Sequence, residues 1–241
     1  MEILKLGSDQ SVEPAPEATP VDYALTLAKA AAIAFPYSAA GVALVDLITA
    51  PIRGKRFSTW CEQMRLRLND LSRKVEGLTP ETLAQDEAFF STFSRATQAA
   101  LNTHHDEKLE ALRNAVLNVS VGKAPSEDKQ SMFLNWIERF SVLHLRILGF
   151  AEDTERYSGK WTKVGPGTIP IHQYIAIGLP DVATEFQLVN AVVSELGSLG
   201  LIGVSSAAGP IPTFSRWITN LGEEFLRFIR EPVVVPDARN P

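Results

Sequence analysis

The chain has 241 residues and a single cysteine, Cys61. One cysteine excludes an intramolecular disulfide and any structural zinc site built from several thiolates. It also points to a reducing compartment, and the cytoplasm is the expected address. No basic stretch followed by an apolar run opens the sequence, so a secretory signal is not expected. Metal-ligand spacing is missing too. Of the four histidines, His104, His105, His144 and His172, no two stand three or four residues apart, the spacing that brings two ligands to one helix face. There is no Gly-x-Ser-x-Gly elbow, and Gly165-Pro166-Gly167 lacks the Lys-Ser/Thr that would complete a phosphate loop. These absences predict a non-enzymatic protein with no catalytic residue, metal site or cofactor and no evident small-molecule ligand. His105, on the face of Leu109 and Leu112, and His144, between Ile137 and Ile147, are expected to be core or rim histidines with hydrogen-bonded neighbours.

Positive charge is scarce except in one place. The net charge is −5, which argues against a coat for nucleic acid. Residues 51–75 nevertheless hold seven basic and two acidic side chains, leaving the rest of the chain at −10. Arg53, Lys55 and Arg56 are the candidate contacts for an anionic surface. They follow an apolar stretch, 24–52, with sixteen uncharged residues between Lys29 and Asp46. A membrane span needs about 20 apolar residues, and this one is short, alanine-rich and interrupted by Pro36 and Gly41. A pair of buried helices turned at Phe35-Pro36-Tyr37-Ser38 is the expected form, and membrane contact is the alternative.

Periodicity predicts a mainly α fold, an N-terminal helical bundle followed by a small α+β module. Residues 1–20, with prolines from Pro14 to Pro20, read as a disordered tail. Residues 21–151 read as the bundle, with the apolar hairpin at its start. Trp60, Met64, Leu68 and Leu71 mark a helix over 57–75 that Gly77 ends. Thr79-Pro80-Glu81 opens another, with Leu83, Phe90, Phe93, Thr97 and Leu101 inward. Leu109, Leu112, Val116 and Val119 mark the next. Ser126 caps one more helix, in which Phe133, Ile137, Phe140, His144 and Ile147 form a single stripe. Residues 152–180 carry Gly159, Gly165, Pro166, Gly167, Pro170, Gly178 and Pro180 and read as a connector. Residues 181–232 form the module and 233–241 a tail.

In the module, Thr184 and Gln187 fit a capping box before the face Val189, Val192, Val193, Leu196 and Leu199. Gly200 fits a left-handed helix end. Residues 201–204 and 214–219 read as strands around a Gly/Ser/Pro loop. Leu221, Phe225, Phe228 and Ile229 mark a closing helix. The order helix, strand, loop, strand, helix resembles the second half of a winged helix. Leu196, Leu199, Gly200, Leu201 and Ile202 are similar to the end of its recognition helix and its first wing strand. Trp217-Ile218-Thr219-Asn220-Leu221-Gly222 is similar to the aromatic–aliphatic–Thr–x–x–Gly phrase that opens the last helix of many winged-helix regulators. The resemblance implies a binding module, and DNA binding is one use of it. A DNA reader places Arg, Lys, Asn or Gln on its recognition helix, whereas residues 187–200 hold no basic residue. Nucleic acid is therefore an unlikely partner, and a protein partner or self-association is expected.

Other phrases resemble a group of bacterial helical proteins: His105-x-x-Lys108 through Val116, Met132-Phe133-Leu134, His144 through Leu148, and Thr219-x-x-Gly222-x-x-Phe225-Leu226-x-Phe228-Ile229. The two ends of the chain also resemble the abortive-infection alpha family of phage defence. That resemblance implies an interaction protein in bacterial defence or stress response, and no residue role is carried over from it. Three functions are thus weighed: an interaction or regulatory protein, a membrane-acting effector using 24–52 and the basic segment 53–74, and a winged-helix DNA-binding regulator.

Overall fold

The computed structural model describes residues 51–154, 168–204, 211–212 and 216–233. The expected 1–20 tail lies outside these residues, as do 24–50 of the 24–52 apolar hairpin and 234–241 of the C-terminal tail. The chain divides into two compact units, residues 1–62 and 63–241. The described part of the first, 51–62, is helical throughout, and its Phe57 and Trp60 are buried.

Nine α-helices occur among the described residues, and the mainly α expectation holds: α1 (Pro51–Ser72), α2 (Pro80–Ala84), α3 (Glu87–Leu101), α4 (Asp106–Ser120), α5 (Glu127–Arg139), α6 (Val142–Glu152), α7 (Ile171–Gly178), α8 (Phe186–Ser198) and α9 (Asn220–Phe228). Two short strands, β1 (Thr168–Ile169) and β2 (Ile211–Pro212), pair antiparallel.

Helix α4 is the axis of the larger unit. Residues 111–119 are all buried, including Arg113, Asn114 and Asn118. It packs on α3, α5 and α9. Arg113 is kept satisfied by Glu110, at 2.7 and 3.1 Å, and by Gln63 Oε1 at 2.5 Å. Arg67 of α1 reaches the same Glu110 at 2.9 Å. The two asparagines face the C-terminal end of α9, where a helix leaves its last carbonyls without intrahelical donors. Asn114 Nδ2 donates to Ile229 O at 3.0 Å. Asn118 Nδ2 donates to Phe228 O at 3.0 Å and Arg230 O at 2.7 Å. Higher on α9, Phe225 meets Phe133, Trp136 and Phe140 edge-on, with ring centroids 5.3–5.9 Å apart. Edge-to-face geometry sets positive ring edges against negative faces.

Several local expectations need correction. The helix predicted from Thr79 to Leu101 is two. Thr79 caps α2 as expected, exchanging hydrogen bonds with Thr82, but the Asp86 side chain accepts from Phe89 N–H at 3.0 Å and starts α3 afresh. After the restart Phe89, Thr92 and Ala96 join the expected Thr97 and Leu101 as buried residues, while Phe90 and Phe93 are only half-buried. The stripe from Phe133 to Ile147 also spans two helices. Phe140 and Ser141 are extended (ψ 140° and 166°), and α6 runs past Gly149 to Glu152. The stripe survives the break because Phe140 and His144 stay stacked, 4.7 Å between centroids.

The segment predicted as a connector holds β1 and α7. Ile171, Tyr174 and Ile175 of α7 are buried, and Tyr174 packs on Phe150 of α6 at 5.3 Å. Gly178 abuts the Phe150 ring, where a β-carbon would collide. Among the described residues of the segment Gly178 thus serves close packing, while Gly159, Gly165, Pro166 and Gly167 lie outside the described residues. The predicted strands 201–204 and 214–219 meet at one antiparallel bridge, Ile202–Ile218, flanked by Gly203 N–H to Trp217 O at 2.7 Å and Thr219 N–H to Leu201 O at 3.0 Å.

The asparagine cap yields a prediction. A buried carbonyl deprived of its donor costs roughly 1–3 kcal/mol, so Asn118→Ala should destabilise the fold by about 2 kcal/mol. Asn118→Asp should cost more, because a carboxylate would face carbonyl oxygens at the negative end of a helix dipole. Urea unfolding monitored by circular dichroism measures both; equal midpoints for wild type and Asn118→Asp would refute this role.

Candidate functional site

Helix α8 of the larger unit combines a buried inner face with exposed apolar side chains. Helix α8 turns Val189, Val192, Val193 and Leu196 inward. Its end is a Schellman motif: Gly200 at φ +72°, Gly200 N–H to Gly197 O and Leu201 N–H to Leu196 O, both 3.0 Å. Leu196 and Leu201, the apolar pair that accompanies this motif, are both fully buried. Thr219 locks the next element on. Its Oγ1 donates to Gly200 O at 2.6 Å and accepts from Gly222 N–H at 3.1 Å, capping α9. A β-carbon at Gly222 would collide with the Leu201 carbonyl oxygen. The Thr-x-x-Gly phrase thus fixes the start of α9 against the end of α8.

The other face of α8 is open. Phe186 is 47% and Leu188 50% exposed, with Gln187, Ala191 and Ser198 also exposed. The expected Thr184–Gln187 capping box does not form: Glu185 is the N-cap, and its side chain makes no cap hydrogen bond. Gln187 is left on the surface beside Leu188. Phe186 meets the His172 ring of α7 at right angles, 4.4 Å between centroids.

This face carries almost no charge. From residue 164 to 215 the sequence has no lysine or arginine and three carboxylates, Asp181, Glu185 and Glu195. Asp181 takes two hydrogen bonds from Arg146, at 2.7 and 2.6 Å. Glu195 accepts from Arg139 at 2.8 Å and contacts His144 Nε2 at 3.2 Å.

His144 is buried, as its place in the stripe predicts, and its partners were 3 and 51 residues distant in sequence. Nδ1 accepts from the Ser141 backbone N–H at 3.2 Å and lies 2.8 Å from Ser141 Oγ. An accepting Nδ1 places the ring proton on Nε2, facing Glu195. Serine, histidine and glutamate are therefore in line, a relation no local motif announces. The backbone donor ties the serine-facing nitrogen into the start of α6. His105 corrects its expectation. It is the N-cap of α4 and exposed, like His104, with the two rings 4.2 Å apart. Among the described residues no group of three or more His, Cys, Asp or Glu side chains is placed to hold a metal ion. Burial pushes the Cys61 thiol up to about 12, so it is not a nucleophile at neutral pH.

The candidate anionic-surface residues Arg53, Lys55 and Arg56 all fall in α1. Lys55 and Arg56 are exposed, while the Arg53 side chain lies outside the described residues. No described helix is long and apolar enough to cross a membrane. Compared with known proteins, the chain matches no family model, no curated protein and no solved structure.

Burial holds the His144 pKa below the ordinary histidine value, outweighing the attraction of Glu195. The native state therefore binds fewer protons than the unfolded chain. The stability His144 contributes is full above the unfolded value of about 6.5 and is lost as pH falls below it. Urea midpoints should drop between about pH 7.5 and pH 5.5, and His144→Gln should flatten that drop. An equal or steeper drop in the variant would contradict it.

Proposed function

We propose that this chain is a non-enzymatic interaction or regulatory protein whose C-terminal module is a winged helix that contacts protein. The element order supports the module: α6, β1, α7, α8, the 201–204 segment, then β2 and the segment reaching Ile218. Residues on either side of the second wing segment pair with different partners, Ile211–Pro212 with β1 and Ile218 with Ile202. We take the two-stranded β1–β2 pairing and the separate Ile202–Ile218 bridge as support for a wing in this reading. In this reading helix α8 takes the recognition position.

The observation that carries the reading is the exposed Phe186 and Leu188 on a helix within a cation-free segment. DNA affinity rests chiefly on cations that neutralise phosphates, and this face supplies none. Large exposed apolar side chains beside neutral polar ones suit the centre of a protein interface, where charge is depleted and aromatics are enriched. The proposed role is in bacterial defence or stress response, an expectation that rests on the resemblance at the two ends of the chain alone, and a reducing cytoplasm is the proposed setting.

A photo-crosslinking residue at position 188 of the full-length protein tests this in cells. A discrete protein adduct should form there and not at exposed Arg73. Leu188→Asp, a surface change worth within about 0.5 kcal/mol of stability, should abolish the adduct formed from position 187. Salt-dependent binding of duplex DNA tighter than micromolar, with no protein adduct, would overturn the reading in favour of a DNA regulator.

The exposed Lys55 and Arg56 favour a second reading, attachment to an anionic membrane surface. Each such charge contributes on the order of 1 kcal/mol near anionic lipid. Replacing Arg53, Lys55 and Arg56 with glutamine should then abolish co-sedimentation with phosphatidylserine vesicles without moving the melting temperature. Unchanged sedimentation of the triple variant, or none by wild type, sinks this reading.

A further inference from the structure

The seam between α3 and α5, remote in sequence from the α8 face, carries a half-open surface groove of about 260 Å³. The two helices run side by side in the same direction. Thr92 Oγ1 meets Gln130 Oε1 at 3.2 Å, and one turn further along Arg95 meets Ser131 and Asn135. Parallel helices with polar residues at the seam leave a groove where an apolar seam would close.

Arg95 is the unusual member of this groove. Its guanidinium donates to Ser131 Oγ at 2.6 Å and to Asn135 Oδ1 at 2.7 Å, both neutral. No carboxylate of the described residues forms an ion pair with it, as is also true of Arg73 and Arg227, but only Arg95 of the three lines this groove. Two neutral acceptors fix the planar fork without neutralising its charge, and three of its N–H groups remain for an occupant. A half-buried, pre-positioned guanidinium is the side chain best suited to a carboxylate or phosphate.

The rest of the lining decides between those two. Glu87 and Glu127 stand at the first turns of α3 and α5, at the same end of the groove. Two carboxylates repel a phosphate dianion and attract an ammonium. Arg95 lies two turns further along α3, and the hydroxyls of Ser91 and Thr92 line the space between. A ligand with a carboxylate at one end and an ammonium at the other matches this order of charges, and the groove is near the lower size of small-molecule sites.

We propose that the α3–α5 groove binds a small zwitterion, an amino acid, ω-amino acid or dipeptide, with its carboxylate on Arg95 and its ammonium toward Glu87 and Glu127. The site is independent of the α8 face. The test is isothermal titration and thermal shift of the full-length protein against the twenty amino acids, γ-aminobutyrate, and glycyl and alanyl dipeptides, with acetate and inorganic phosphate as comparison probes. At least one zwitterion should bind saturably and raise the melting temperature. Arg95→Gln should weaken it about tenfold or more, by loss of a charge-assisted contact.

Because Arg95 also bridges the two helices, a second variant leaves those hydrogen bonds intact. Glu127→Lys should weaken the zwitterion and let phosphate bind where wild type does not. The proposal is overturned if no zwitterion of the panel binds, if phosphate binds wild type more tightly than any of them, or if a bound zwitterion keeps its affinity in a folded Arg95→Gln or in Glu127→Lys.

Discussion

The larger unit depends on how α4 closes the C-terminal end of α9. A helix that ends inside a protein presents bare carbonyls to a medium without water, and each needs a donor. Asn114 and Asn118 stand one turn apart on α4 and supply amide donors to Phe228, Ile229 and Arg230. A single asparagine NH2 has two hydrogens and can serve two carbonyls at once. That arrangement allows the last described helix to be buried on its inner side and to set Phe225 among Phe133, Trp136 and Phe140. The end of the chain is thereby part of the core built by its middle.

This explains why a reading by composition separates what the structure joins. Glycine and proline between residues 152 and 180 carry the usual marks of a linker, but a linker is distinguished by the absence of cross-contacts. Here Gly178 admits the Phe150 ring and Pro170 precedes a helix whose Tyr174 is fully buried. The same residue types serve close approach in one place and flexibility in another. Only the partner side chain, some 28 residues earlier in the case of Phe150, decides which.

Local chemistry was legible where its partners are local. Gly200 adopts the positive φ its position at a helix end predicts, Thr79 caps, and the core face of α8 follows the helical period. The helix expected over 57–75 instead runs from Pro51 to Ser72, short of Gly77, and α4 is buried all round over 111–119. The Thr219–Gly222 phrase also marked its place, because Thr219 must cap α9 and Gly222 must yield space to Leu201. What remained hidden rests on distant pairs or on competition within a few residues. Asp86 restarts a helix that periodicity continues. Ser141 and His144 divide a stripe whose apolar spacing crosses the break undisturbed. In the groove, Arg95 reads as an ordinary surface cation until α5 is seen to offer it only neutral acceptors.

The carboxylates near α8 follow the same logic of partners. An exposed ion pair adds little to stability, from nothing to about 1 kcal/mol, so Arg146–Asp181 and Arg139–Glu195 are better understood through what they do to the surface. Asp181 precedes α8 and Glu195 lies in its last turns. Left unpaired, they would give both flanks of the helix a negative field in a segment without a single cation to offset it. Arg139 of α5 and Arg146 of α6 neutralise them from the bundle side, and His144 shares Glu195 from beneath. Glu185 at the N-cap is then the remaining carboxylate of the segment, and the open face carries Gln187, Ala191 and Ser198 with Phe186 and Leu188 on its two flanks. If α8 is the protein contact proposed for it, it discriminates by shape and apolar contact. Its recognition should depend on salt far less than that of a cationic reader, because no counterion is released when it docks.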